Sequence, residues 1–257
     1  GQIPGPLLSV STAASITVTF QNDAPFASSI HWHGLRHDNR FDGVPGMTQD
    51  AVETGAEFTY RFRAPDAGTF WYHSHNRSWE QVAKGLYGPL IVDEAEPPEV
   101  DHDHILVLDD WRMVDGAKLS DDFGSMRDWS HAGRIGNWVT VNGMDEPALP
   151  ARRNERLRLR LINAANARIF ELSATGVTGW IVALDGQPLA MPEPFARVKR
   201  APAQRADLIL DVASGEGETP TLISHERDGG YALATFPISG AARSAPLDAP
   251  HSFLAPN

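Results

Sequence analysis

The 257-residue chain contains no cysteine. That absence excludes disulfides, thiolate nucleophiles, zinc ribbons and iron–sulfur clusters together. It equally excludes a thiolate ligand from any metal site these residues build. No apolar run approaches the ~20 residues of a membrane-spanning helix. No secretory leader is visible, although the sequence opens at Gly1 rather than Met, which is compatible with removal of an export signal. Positive charge is scarce: 22 Lys and Arg stand against 33 Asp and Glu, a net charge of −11. An acidic surface of that size repels phosphate backbones and anionic membranes, so neither nucleic acid nor membrane is an expected partner. Disorder is not expected either, because 42% of residues are hydrophobic and 21% charged.

What is present is mostly period two. Ile16, Val18 and Phe20 alternate with smaller or polar residues, as do Phe58, Tyr60 and Phe62. Leu157, Leu159 and Leu161 interleave with Arg156, Arg158 and Arg160, which predicts a one-sided strand with a charged outer face. Turn signals recur between such runs, among them Asn22-Asp23, Asp42-Gly43, Asn142-Gly143 and Asp185-Gly186. Many short strands at this spacing predict an all-β protein of sandwiches or barrels, with helix limited to a turn or two over Ser78 to Lys84. The acidic stretch Glu94 to Asp103, containing Pro97-Pro98, reads as a linker between a first domain, 1–95, and a second, 104–240. Residues 241–257 are rich in Ala, Pro and Ser and read as a tail toward a missing third domain. Both ends of the sequence have the look of cuts.

Chemistry concentrates in two histidine pairs, His31-Trp32-His33-Gly34 and Trp71-Tyr72-His73-Ser74-His75. On an extended strand an i, i+2 spacing places both imidazoles on one face, ~7 Å apart. That separation suits neighbouring metal ions better than one shared ion, and two such strands side by side would converge four nitrogens on a small multinuclear cluster. Imidazole suits copper, zinc, iron and nickel alike. The six other histidines read as bland: His102 and His104 in the acidic linker, His37, His131 and His225 in turn-like contexts, His251 in the tail. Trp32, Trp71 and Tyr72 read as packing. Asn76-Arg77-Ser78 fits a glycosylation sequon but lies beside the expected site and is discounted.

These two motifs and their surroundings resemble the first two copper-binding motifs of multicopper oxidases, with bacterial laccase-like members the nearest in pattern. The resemblance extends through Gly1-Gln2-Ile3-Pro4-Gly5-Pro6, Asp42-Gly43-Val44-Pro45-Gly46-Met47-Thr48-Gln49, Pro65-Asp66-Ala67-Gly68-Thr69 and Gly85-Leu86-Tyr87-Gly88-Pro89. It continues through Val139-Thr140-Val141-Asn142-Gly143, Arg160-Leu161-Ile162-Asn163-Ala164, Asp185-Gly186-Gln187-Pro188 and Pro202-Ala203-Gln204-Arg205-Ala206-Asp207. It implies two cupredoxin-like Greek-key β-sandwich domains and a periplasmic or secreted location. It implies that His31 ligates a type 2 copper, that His33 and His73 ligate one type 3 copper, and that His75 ligates the other. It gives Asp42 a catalytic role beside the type 2 copper, holding water and delivering protons to reduced oxygen; the plainer reading of Asp42 is a turn former before Gly43.

The sequence departs from that family where the remaining ligands should be. The family's trinuclear cluster needs eight His, and the HPxHxHG and HCH motifs that supply the second four are not here. The type 1 blue copper needs a Cys thiolate, and there is none. The expectation is therefore half of a trinuclear type 2/type 3 copper cluster and no type 1 copper. The partners implied are O2, a small reducing substrate, and a third domain or another subunit, with oligomers open. Two alternatives stay open: a non-catalytic copper-binding protein for storage or resistance, and an interaction protein whose histidines are relics.

Overall fold

The computed structural model describes residues 1–250. The chain is about 48% strand and 6% helix, the all-β class expected. It forms two compact units, Gly1–Ala95 with Leu119–Gly133, and Glu96–Lys118 with the chain from Arg134 onward.

The first unit contains strands β1 (Leu8–Ser11), β2 (Ser15–Gln21), β3 (Ile30–His33), β4 (Glu57–Arg63), β5 (Gly68–Ser74) and β6 (Tyr87–Asp93). A four-stranded sheet has the order β1-β6-β5-β3, and β2 pairs with β4. Period-two alternation decides what each face carries. Ile16, Tyr60 and Phe62 from the β2–β4 pair meet Trp32, Phe70, Leu90 and Val92 from the larger sheet in one core. Trp32, 1% exposed, packs its ring 4.9 Å from Phe62 and 5.4 Å from Tyr60. The neighbours of Trp32 along the strand, His31 and His33, consequently face away from that core. The helical turn over Ser78–Gln81 and the 3-10 turn over Val82–Lys84 fall where a turn or two was expected.

The second unit contains β7 (His102–Trp111), β8 (Met113–Val114), β9 (Lys118–Leu119, its second residue in the first unit), β10 (Trp138–Val141), β11 (Ala151–Arg153), β12 (Arg156–Asn163), β13 (Phe170–Ala174), β14 (Val177–Leu184), β15 (Gln187–Pro194), β16 (Val198–Arg200), β17 (Arg205–Val212), β18 (Thr221–Glu226), β19 (Gly229–Thr235) and β20 (Ile238–Ala241). A six-stranded sheet, β10-β7-β12-β17-β14-β15, and a four-stranded sheet, β16-β13-β18-β19, enclose a core containing Leu106, Leu157, Leu159, Leu161 and Leu208 from one side and Phe170, Leu172 and Leu222 from the other.

Two expectations need correction. The arginines of β12 do not form an exposed face: Arg156, Arg158 and Arg160 are 5%, 3% and 3% exposed. Antiparallel pairing sets Arg156 opposite Asp211 and Arg160 opposite Asp207, so the guanidiniums are buried against carboxylates. Arg156 donates to Asp211 at 2.6 and 2.7 Å, and Arg158 to Asp207 at 2.6 Å. Secondly, His102 and His104 do not sit in a linker; they open β7, which pairs in parallel with β12. Two of the acidic residues that suggested a linker are ion-paired: Asp103 with Arg160 at 2.9 Å and Asp101 with Arg243 at 2.7 Å. His251 and the last residues of the 241–257 segment lie outside the described residues.

Candidate metal centre

Strands β3 and β5 pair antiparallel with His31 opposite His73 and His33 opposite Trp71. Each i, i+2 pair therefore shares a face, and the antiparallel register lays one pair beside the other. Ring centroids separate by 5.5 Å for His31–His33, 5.2 Å for His31–His73, 5.2 Å for His31–His75 and 5.4 Å for His33–His73. His75, just past the end of β5, stacks on His73 at 6.1 Å. The ~7 Å of ideal strand geometry thus closes to 5.5 Å between the rings of His31 and His33. His31, His33 and His73 each offer a nitrogen such that all three lie within 4.8 Å of one another.

The nitrogens are oriented as well as close. His31 Nδ1 lies 2.9 Å from the Asp42 carbonyl, and His73 Nδ1 lies 2.8 Å from the Ser74 carbonyl. A carbonyl only accepts, so Nδ1 carries the proton in both rings and Nε2 keeps its lone pair. His33 Nδ1 lies 3.2 Å from His73 Nε2. Two nitrogens on adjacent positions of one ion, with bonds of ~2 Å, stand roughly 3 Å apart. The donor set therefore fits a borderline metal ion that accepts imidazole. Protonation offers no competing explanation for the cluster: burial, reinforced by the charges of His31 and His75, lowers His73 to about 4. Burial likewise lowers His75. The His73 ring is a neutral donor at pH 7.

The surroundings hold this arrangement rigid. Trp71 packs 4.4 Å from the His73 ring and 5.2 Å from His33, walling one side. Gly43, at φ +75°, approaches β3 so closely that a Cβ there would lie 1.8 Å from the Ile30 carbonyl oxygen. That approach brings the Asp42 carbonyl onto His31, and the Ser29 hydroxyl donates to the Gly43 carbonyl at 2.7 Å. Behind β5, Gln81 accepts from the hydroxyls of Ser74 and of Ser28, the latter at 2.8 Å, and donates to the Ala27 carbonyl at 2.9 Å. Asn76 donates to the same carbonyl at 2.7 Å, which commits the amide of the discounted sequon.

Asp42 stands beside the cluster, its Oδ1 3.2 Å from His31 Nδ1. The same oxygen is 3.3 Å from Nε2 of His37, whose side chain is only 2% exposed. His37 was expected to be a bland turn residue. It is instead buried against Asp42 and over the Phe62 ring at 4.9 Å. No spacing rule signals this, because the irregular path through the 3-10 turn Asn39–Phe41 decides it.

A family model described as multicopper oxidase matches residues 1–97. The chain is 30% identical to copper resistance protein A of Pseudomonas syringae pv. tomato, over 96% of this chain and 48% of the relative. It is 29% identical to multicopper oxidase MmcO of Mycobacterium tuberculosis, over 95% of this chain and 52% of the relative. The chain thus spans about half the length of these curated relatives. Among solved structures, Lac15 from a marine microbial metagenome is 51% identical with a TM-score of 0.86, covering 99% of this chain and 64% of the other. The blue copper oxidase from Nitrosomonas europaea is 31% identical with a TM-score of 0.81, covering 93% of this chain and 77% of the other. With the paired histidines, the sandwich fold and these likenesses in agreement, the chain belongs to the multicopper oxidase family.

Proposed function

We propose that this chain carries one half of a trinuclear copper centre in a laccase-like oxidase, located in the periplasm or secreted. The observation that carries the reading is the approach of His33 Nδ1 and His73 Nε2 to 3.2 Å within a group of four imidazoles. His31 would hold the type 2 copper, His33 and His73 together one type 3 copper, and His75 the other. When bound, copper would supply the one-electron steps that couple substrate oxidation to reduction of O2 to water.

The chain's own residues position and protect. The Asp42 and Ser74 carbonyls fix the tautomers of His31 and His73. Trp71 excludes water from one side of His33 and His73. Asp42 holds a proton-accepting carboxylate at the edge of the cluster, its Oδ1 3.2 Å from His31 Nδ1 and 3.3 Å from His37 Nε2. Domain 1–95 supplies all four ligands, and domain 104–240, cupredoxin-like in the same Greek-key sense, supplies none to this cluster. The remaining cluster ligands and a thiolate type 1 site would come from a further domain or another subunit, since these residues contain no Cys. The small reducing substrate would dock there.

The test uses the full polypeptide containing this chain, copper-loaded, with a phenolic donor in an oxygen electrode. Four donor equivalents should be oxidised per O2 consumed, and His33→Ala with His73→Ala should abolish O2 uptake. Undiminished uptake in that double variant would overturn the reading. A second reading, a non-catalytic copper carrier for storage or resistance, is favoured by the printed name of a relative, copper resistance protein A. Under that reading copper binds and O2 uptake is nil in the wild type too.

A further inference from the structure

We infer that His102 and His104 form a second metal site, a bidentate imidazole chelate for Cu(II) at one end of the second unit's sandwich. The site is separate from the cluster above and lies in the unit to which no ligand was assigned.

Strand parity creates it. His102, His104, Leu106 and Leu108 share one face of β7, and the last two are 2% and 0% exposed in the core. The register places His102 beside Leu157 and His104 beside Leu159, both core residues of β12. The core-facing row of β7 therefore changes from leucine to histidine toward its first residue. The His102 side chain is 47% exposed there, so an ion could reach it. Alternate residue Asp103 points to the opposite face and is committed to Arg160 at 2.9 Å.

The two rings stack at 22° with centroids 5.6 Å apart. Two imidazoles bound to one ion through ~2 Å bonds have centroids about 4.5 Å apart when cis and about 6.5 Å apart when trans. The observed spacing falls inside that span. Among the described residues neither imidazole engages in a hydrogen bond; Glu155 Oε1 stands 3.8 Å from His102 Nε2. Their lone pairs are thus not spent on holding the fold.

Glu155, with a side chain 1% exposed, is fixed in place because its oxygens accept from Arg152 Nε at 2.6 Å and from the Arg152 backbone N–H at 2.7 Å. Its charge is balanced by that guanidinium, and at 3.8 Å from His102 Nε2 it supplies no metal bond. Two imidazoles with water completing the shell suit a borderline divalent ion. The order of affinity for nitrogen donors then puts Cu(II) ahead of Zn(II) and Ni(II). With only two protein ligands and an open side, the ion exchanges readily.

The test is a Cu(II) titration of the metal-free protein, followed by calorimetry and electron paramagnetic resonance. Wild type should take up one more Cu(II) than His102→Ala with His104→Ala, and the double variant should lose a signal with nitrogen splitting from two imidazoles. Because His104 adjoins the core, the single exposed variant His102→Ala serves beside it and should weaken that ion at least about tenfold, as loss of a chelating partner does. In a His33→Ala, His73→Ala background the ion should persist, which separates this site from the cluster in the first unit. Equal stoichiometry, affinity and spectra in wild type, His102→Ala and the double variant would overturn the assignment.

Discussion

Gly43→Ala tests how far the site depends on one close backbone approach. A Cβ at that position would lie 1.8 Å from the Ile30 carbonyl oxygen, and real contacts do not go below 3.0 Å. The loop must therefore retreat by about 1.2 Å (3.0 less 1.8) from β3. Such a retreat would stretch the 2.9 Å contact of His31 Nδ1 with the Asp42 carbonyl, and the 2.7 Å bond from Ser29 to the Gly43 carbonyl, beyond hydrogen-bonding range. Left-handed backbone in Ala costs about 1 to 2 kcal/mol, and two lost hydrogen bonds cost roughly 1 kcal/mol each. The expected destabilisation is about 3 to 4 kcal/mol. Gly46→Ala is the control: it has φ +77° but open space around its Cβ, so only the backbone strain applies, about 1 to 2 kcal/mol. Urea unfolding measures both variants, and nitrogen NMR of the His31 ring reports whether Nδ1 keeps its proton. If the two variants are equally stable and the His31 tautomer is unchanged in Gly43→Ala, the close approach does not organise the site.

Three further outcomes are expected. Asp207→Ala removes the buried carboxylate to which Arg158, 3% exposed, donates at 2.6 Å and should cost about 3 to 5 kcal/mol in urea unfolding, whereas Arg158→Met with Asp207→Leu should cost far less; equal losses would refute the pairing argument. Asp101 is held below the ordinary carboxylate range by the Arg243 guanidinium, which donates to it at 2.7 and 2.8 Å. Its stabilising contribution is thus present above about pH 4 and lost as pH falls through the lowered folded-state value; Asp101→Asn should flatten the acid limb of a thermal-unfolding series between pH 5 and 3, and an unchanged limb would refute this. Finally, the 257-residue polypeptide loaded with copper should show no thiolate-to-copper charge-transfer band, since it has no Cys; absorption spectroscopy decides this directly.

Much of the site was legible because its geometry is local. An i, i+2 pair on a strand must share a face, so His31 with His33 and His73 with the residues around it could be grouped before any fold was known. Alternation likewise separated Trp32 from its histidine neighbours. What spacing could not supply is the antiparallel register that sets His31 opposite His73 and closes the nitrogens of His33 and His73 to 3.2 Å. The reading of β12 failed for the same reason. Arginine at alternate positions looks solvated in one strand alone, and only the pairing with Asp207 and Asp211 of β17 makes burial tolerable.

By itself the sequence determined the β class, the absence of any thiolate chemistry, and the four imidazoles at strand spacing, since composition and period two depend on nothing beyond the chain's covalent order. Only the tertiary structure decided that His37 is buried on Asp42, that Gly43 seats the Asp42 carbonyl on His31, and that His102 and His104 stack on a strand rather than in a linker. Each of these depends on segments distant along the chain, or on an irregular turn, where side-chain direction is set by packing and not by period.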